Sequence, residues 1–327
     1  MNFDRRKFIQ LSAGLGAAAL PAVASKAWAQ SYPSRPISLV VFLPAGAIPD
    51  LIGRLIGDAL SQRLGQPVII ENRPGAGGNI ALQTVARAPA DGHTLLLLAS
   101  PHAINVSLYP NNPVSLSKDI TPVASLNRDT FVLLANPSLP VKNVAEFIAY
   151  AKANPGKINL SSNGTGNLTH LAGELFKTAA GIDTLHVPYR GSPAALAALT
   201  AGDVQALFDT VGTSFPLIQA GKIRALGVSS TQRVRMLPDV QTIAETVPGY
   251  TVTGWLGIGA PKATPAEIVQ RLNREIGTVL NDPAVKAKML ELNSDPFVST
   301  SEAFAKFTAD DAEKWGKVVK AAGVKVE

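Results

Sequence analysis

Cysteine is absent from the 327 residues, which excludes disulfides, thiol nucleophiles and thiolate metal sites. Histidine is scarce, and its four copies at 93, 102, 170 and 186 lack metal-ligand spacing. No Gly-x-Ser-x-Gly elbow, Walker loop, His-Glu-x-x-His helix or Gly-x-Gly-x-x-Gly fingerprint occurs, so neither enzyme chemistry nor a cofactor or metal is expected. After Lys26 no block of Lys or Arg appears, which argues against nucleic acid as a partner. Beyond the first 30 residues no apolar run is long and uncharged enough to span a membrane.

What is present begins with an address. Arg5-Arg6-Lys7 precedes an apolar stretch from Leu11 to Ala24, and Ala27-Trp28-Ala29 has the small-bulky-small order of a cleavage site. Residues 1–29 are therefore expected to be a signal peptide cut before Gln30, and the chain to be exported to the periplasm. The arginine pair favours the twin-arginine route, although a general secretory signal has the same charged, apolar and small-residue order. Removing Arg5, Arg6, Lys7 and Lys26 against Asp4 lowers the net charge from +6 by 3 to +3. Without cysteine, stability must come from burial, and about 300 mature residues exceed what one core usually holds, which favours two lobes.

Apolar runs alternate with glycine or proline turns and amphipathic helices. Ile37 to Leu43, Val68 to Glu71 and Leu95 to Ala99 read as strands, with helices after the first two. The alternation resumes at Phe131 and runs through Val144 to Ala153, Ile158 to Ser161, Asn167 to Ala179 and on to a strand at Ala225 to Ser229. A glycine-rich strand near Thr253 to Ala260 and two terminal helices follow. The class is α/β. The boundaries near Ser125 to Phe131 and Tyr250 to Leu256 predict one lobe of residues 31–129 plus 252–327 and a second of 130–251, with a hinge and a ligand cleft between them.

Three segments at the carboxyl ends of strands are candidates for holding an anion. In Phe42 to Asp50, small residues lead into a helix at Pro49, and free N–H groups at Ala47, Ile48 and Asp50 can grip a carboxylate without a cationic side chain. In Ser161 to His170, the candidates are Ser161, Asn163, Gly164, Thr165, Gly166, Asn167 and His170, where hydroxyls, amides and glycines converge before a helix. The third, Ala99 to Asn105, reads as a loop that walls the pocket through Ser100. Asp209, at a strand end, either accepts a hydrogen bond from a ligand or caps a helix. Asn72 to Gly78 reads as a structural turn. Ser161, His170 and Asp209 can be assembled on paper into a hydrolytic triad, but a serine in such a loop is ordinarily a plain donor.

Several motifs together resemble the Bug, or TctC, family of extracytoplasmic solute receptors of tripartite tricarboxylate-type transporters. They are Glu71-Asn72-Arg73-Pro74-Gly75-Ala76-Gly77-Gly78-Asn79, Pro89-Ala90-Asp91-Gly92-His93, Ser161 to Phe176, His186-Val187-Pro188-Tyr189-Arg190-Gly191 and Leu237-Pro238-Asp239-Val240. The resemblance implies a type II periplasmic-binding-protein fold whose loops at Pro44 to Asp50 and Ser161 to His170 pinch a ligand carboxylate. It further implies no cofactor, and an integral membrane permease as partner. A monomer is expected, and presentation of the ligand to a sensor kinase is the alternative role. Where such receptors carry Gly-Gly in the first loop, this chain has Gly46-Ala47 followed by Ile48-Pro49. Those residues point to a carboxylate with an apolar or aromatic body rather than citrate.

Overall fold

The computed structural model describes residues 32–325; the expected signal peptide, residues 1–29, lies outside the described residues. The chain starts with β1 (Ile37–Val41), α1 (Ile48–Leu64), β2 (Val68–Asn72), α2 (Asn79–Ala86), β3 (Thr94–Ala99), α3 (Ser100–Leu108), α4 (Leu116–Asp119) and β4 (Ile120–Ala135). A second run contains α5 (Val144–Ala153), β5 (Asn159–Ser162), α6 (Leu168–Ala180), β6 (Leu185–Pro188), α7 (Ser192–Ala201), β7 (Ala206–Thr210), α8 (Val211–Gln219) and β8 (Arg224–Val228). The return leg is β9 (Thr253–Pro261), α9 (Ala266–Asn281), α10 (Pro283–Glu291), β10 (Asp295–Pro296) and α11 (Ser301–Ala322).

Strand order is β2-β1-β3-β9-β4-β7-β5-β6, with β8 and β10 also paired to β4. β1 lies parallel to β2 and β3, and β5 parallel to β6 and β7, so each region contains the βαβ logic read from the sequence. Leu95 to Leu98 of β3 are all buried, as a strand covered on both faces requires.

β4 is the unexpected element. Its 16 residues form one continuous strand through the segment predicted to be a boundary. Ile120 to Thr130 pair with β9, and Phe131 to Ala135 pair with β7 and β8. Side chains in its second part alternate: Phe131, Leu133 and Ala135 enter one apolar cluster with Phe147, Phe176 and Tyr250, while Val132 and Leu134 enter another with Leu199 and Leu207. A separate core holds Leu39, Ile52, Leu97, Leu272 and Ile276. The fold is the mixed α/β, two-lobed type. From these pairings and cores we propose the division at 129/130 and 251/252. The last helix spans it, since Phe304 belongs to the first core and Trp315 to the second.

Where the chain passes between the two regions, buried Ser229 clasps both crossings. Its Oγ accepts the Phe131 N–H at 3.0 Å and donates to the Val252 carbonyl at 2.6 Å. Its backbone completes the clasp, donating to Phe131 O at 2.8 Å and accepting from Val252 N–H at 3.0 Å. All four polar valences of one small residue thus tie the two connecting segments edge to edge.

Candidate functional site

A cavity of about 430 Å³ lies between the carboxyl ends of β1, β2 and β5. One wall is apolar: Phe42, Leu43 and Pro44 follow β1, and Pro101, Ile104 and Leu108 come from α3. The opposite wall is the segment Asn163 to Leu168 between β5 and α6. No charged side chain stands among the residues lining the cavity. An anion there must be held by neutral donors, and the N–H groups of Thr165 and Leu168 have no hydrogen-bond partner among the described residues.

Phe42 is kept in place from beneath. The His102 ring meets it edge-on with centroids 5.0 Å apart. His102 is fully buried, and burial pushes its pKa down to about 4, so the ring is neutral and packs as an apolar body. Its Nδ1 accepts the Ala99 N–H at 3.1 Å. Gly78 closes over this pair at φ +97°, and a Cβ there would lie 3.1 Å from His102 Nε2 and 3.4 Å from the Phe42 ring. The Pro74 to Gly78 turn, read as structural, therefore also lines the cleft through Gly75, Gly77 and Gly78.

Of the residues singled out in the sequence, the structure brings Phe42, Asn163, Gly164, Thr165, Gly166 and Asn167 together on this lining. The Asn167 side chain caps α6 by accepting from Thr169 N–H at 3.2 Å. Asn163 donates its amide to Asp209 Oδ1 at 3.1 Å, and its own Oδ1 is a buried acceptor without a partner among the described residues.

The others stand elsewhere, for stated reasons. Ser100 is no loop residue: Ala99 to Asn105 opens helix α3, and the Ser100 hydroxyl accepts the Trp255 N–H at 3.1 Å inside the protein. Ser161 donates to the Ala206 carbonyl at 3.1 Å, which binds β5 to β7 and leaves its oxygen unavailable as a nucleophile beside His170. Asp209 is 1% exposed and accepts from Asn163, Thr210 N–H and Ser192 Oγ, so it fixes the loop from behind. Burial pushes its carboxyl up, against those bonds. His170 lies off the lining, with Nδ1 accepting the Gly166 N–H at 3.1 Å.

In the first loop, Asp50 is 1% exposed, and its carboxylate is a structural anchor. It accepts from Gly46 N–H at 2.9 Å and Asn72 Nδ2 at 2.8 Å, and takes Arg54 in a two-point ion pair at 3.0 and 3.1 Å. Burial pushes the Asp50 carboxyl up, but the Arg54 guanidinium and the Gly46 and Asn72 amides outweigh it and hold it below the usual carboxylate range. The Ala47 N–H is turned back onto Pro44 O at 3.3 Å. Ile48 is exposed on the first turn of α1, outside the cavity lining.

Sequence reasoning placed Ala99 to Asn105 at the pocket wall but as a loop acting through Ser100, and missed the helix face that lines the cavity. Pro101, Ile104, Asn105 and Leu108 stand at i, i+3, i+4 and i+7, the spacing of one helix face, and all four line the cavity. That periodicity was available, hidden behind a serine and a proline that look like a turn.

A family model described as Tripartite tricarboxylate transporter family receptor matches residues 52–324. The chain belongs to that family. Protein BugT of Bordetella pertussis is 35% identical over 308 residues, 93% of this chain and 94% of its own. Among solved structures, Rpa4515 of Rhodopseudomonas palustris with adipate is 36% identical with a TM-score of 0.77, covering 90% of this chain and 99% of the other. MatC of the same organism, with bound malate, is 32% identical with a TM-score of 0.73, covering 88% and 100%. The resemblance drawn from the Asn72 to Asn79 and Ser161 to Phe176 motifs is thereby confirmed, and the protein is a solute-binding receptor of a periplasmic family, not an enzyme. Among the described residues no helix is long and apolar enough to cross a membrane.

Proposed function

We propose that this receptor captures a small carboxylate with an apolar or aromatic body and delivers it to the integral membrane permease of a tripartite transporter. The observation that carries the proposal is a cleft with one apolar wall, one wall of neutral donors and no charged side chain. A tricarboxylate would bury several charges there with no cation to offset them, at a cost of several kcal/mol per ion on the order-of-magnitude scale for desolvated charges. A single carboxylate is satisfied by the N–H groups of Thr165 and Leu168, while the rest of the molecule lies on Phe42, Ile104 and Leu108. Relatives with adipate and malate support the carboxylate class, and adipate supports an apolar body.

Capture proceeds by closure of the lobes about the connecting segments at Phe131 and Val252, which brings the start of α1, with Ala47 and Ile48, onto the ligand. The receptor works as a monomer in the periplasm after removal of residues 1–29, and it uses no cofactor or metal.

A thermal-shift screen over aromatic, aliphatic and dicarboxylic acids, with citrate as contrast, tests this. Aromatic or aliphatic carboxylates are expected to raise Tm, and Phe42→Ala to remove most of the rise. Stabilisation by citrate alone, or ester turnover that disappears with Ser161→Ala, overturns it.

A further inference from the structure

Behind the donor wall of the cleft, two imidazoles lie face to face. His170, in the first turn of α6, and His186, on β6, have ring centroids 3.6 Å apart and planes inclined by 10°. Each ring holds a different point of the loop in front of it. His170 Nδ1 accepts the Gly166 N–H at 3.1 Å. His186 Nε2 pairs with Ser162 Oγ at 2.7 Å, and that hydroxyl oxygen accepts the Gly164 N–H at 3.3 Å. Gly164 and Gly166 sit at φ +135° and +74°, a backbone that would fall back to commoner conformations if the bonds were released. The amides on either side of Thr165 are thus tied to the protein, and the Thr165 N–H between them is not.

The bonds also bear on how protons are placed. A Nδ1 that accepts from Gly166 puts the His170 proton on Nε2, 3.8 Å from Glu174 Oε1, while the His186 Nε2–Ser162 Oγ bond runs in either direction, because that hydroxyl also lies 3.3 Å from the Gly164 carbonyl. Both rings are neutral, because burial disfavours the charged form and two charged rings at this stacking distance would repel. Burial pushes each pKa down to about 4. Glu174, the carboxylate facing the pair, is itself bound by Lys177 at 3.1 Å and does not draw a second proton onto His170.

We propose that the stacked His170–His186 pair is a positioning device that holds Gly164 and Gly166 so that the Thr165 N–H faces the ligand carboxylate, and that neither ring touches the ligand. The proposal rests on the reading of the cleft as a carboxylate site.

The test starts without ligand. Amide hydrogen exchange, followed by NMR, is measured at Gly164 and Gly166 in the wild type and in His170→Leu, His170→Asn, His186→Leu and His186→Gln. The leucine variants keep an apolar body of similar size but lose the hydrogen-bonding nitrogen, while asparagine and glutamine retain a polar partner that can both donate and accept. Exchange is expected to speed up about tenfold at Gly166 in His170→Leu and at Gly164 in His186→Leu, the factor one ordinary hydrogen bond is worth, and to return most of the way in the conservative variants. Phenylacetate affinity by calorimetry follows the same order, with a loss of about tenfold that the conservative variants largely recover. Unchanged exchange in both leucine variants, or conservative variants as impaired as the leucine ones, overturns the proposal. Faster exchange with unchanged phenylacetate affinity overturns instead the reading that this loop holds the carboxylate.

Discussion

The two loops at the cleft are built on the same plan, a glycine turn running into a helix, yet they are held by opposite chemistry. The loop before α1 is fastened by charge: the Asp50 carboxylate gathers Gly46, Asn72 and Arg54. In the loop before α6 the backbone N–H groups are taken by neutral acceptors, with His170 taking Gly166, Ser162 taking Gly164 and Thr169 Oγ1 taking Asn163 N–H at 2.9 Å, while the Asp209 carboxyl behind it takes from this loop only the Asn163 side-chain amide. The difference decides which of them suits an anion. A carboxylate in the first turn of α1 already uses the positive end of that helix and one of the loop amides. The first turn of α6 carries no acid, and its dipole and free amides remain for a ligand. The first loop is better placed to supply surface, and the second to supply donors.

Removing Asp50 is the strongest way to break this contrast. Asp50→Ala leaves the Gly46 N–H and the Asn72 amide without their acceptor and frees Arg54, for a loss of about 3 kcal/mol in urea unfolding. Carboxylate affinity is expected to fall much less than stability, because the donors lie across the cleft. An equal collapse of affinity would place the anion at α1 after all.

Acid separates the loops in a second way. Unfolded histidine takes up a proton near pH 6.5, whereas His170 and His186 in the folded protein stay neutral down to about 4. Between those values the unfolded state binds more protons, so stability falls as the solution is acidified from about pH 6.5 to about 4. Asp50 behaves differently. Its carboxyl lies below the usual range, so its contribution is complete above about pH 4 and is lost only below that. Urea unfolding across pH 7 to 4 is expected to show a decline that is shallower in a His170→Asn, His186→Gln double variant. Some slope remains, since His102 is held to the same value by its burial under Phe42. An unchanged slope in the double variant would mean that the pair titrates alike in both states.

Much of this architecture was readable along the chain. The helix predicted at Val144 to Ala153 has those ends in the structure, because an apolar face at helical spacing starts after Asn143, whose side chain caps it. The loop Asn163 to Asn167 was legible as cleft lining because five consecutive small or polar residues stand between a strand and a helix. What stayed hidden was whether each polar group is already engaged. Ser161 and Ser100 look as available as Thr165 until the fold supplies the Ala206 carbonyl and the Trp255 amide as their partners. Such pairings join residues 45 and 155 positions apart, and no local pattern records them. The polar middle of β4, Asn127-Arg128-Asp129, likewise reads as a boundary, although β9 pairs with it throughout. Its polarity marks the place where the strand leaves one sheet for the other.

Ile48 offers the finest test of the division of labour. It is 43% exposed at the start of α1, between Ala47 and Pro49, and it contributes to no apolar cluster. An exposed branched side chain gains little from folding, so Ile48→Ala is expected to change stability by no more than about 0.5 kcal/mol. If the first loop closes over the ligand as a surface, the same substitution removes apolar contact from the bound state alone. Calorimetry with phenylacetate should then read a loss of up to about tenfold, the usual scale for a few methylene groups in an apolar pocket. Acetate, with no body to cover, should lose almost nothing. Equal losses for both acids would assign Ile48 to gripping the carboxylate, and no loss for either would leave recognition to α3 and the loop before α6.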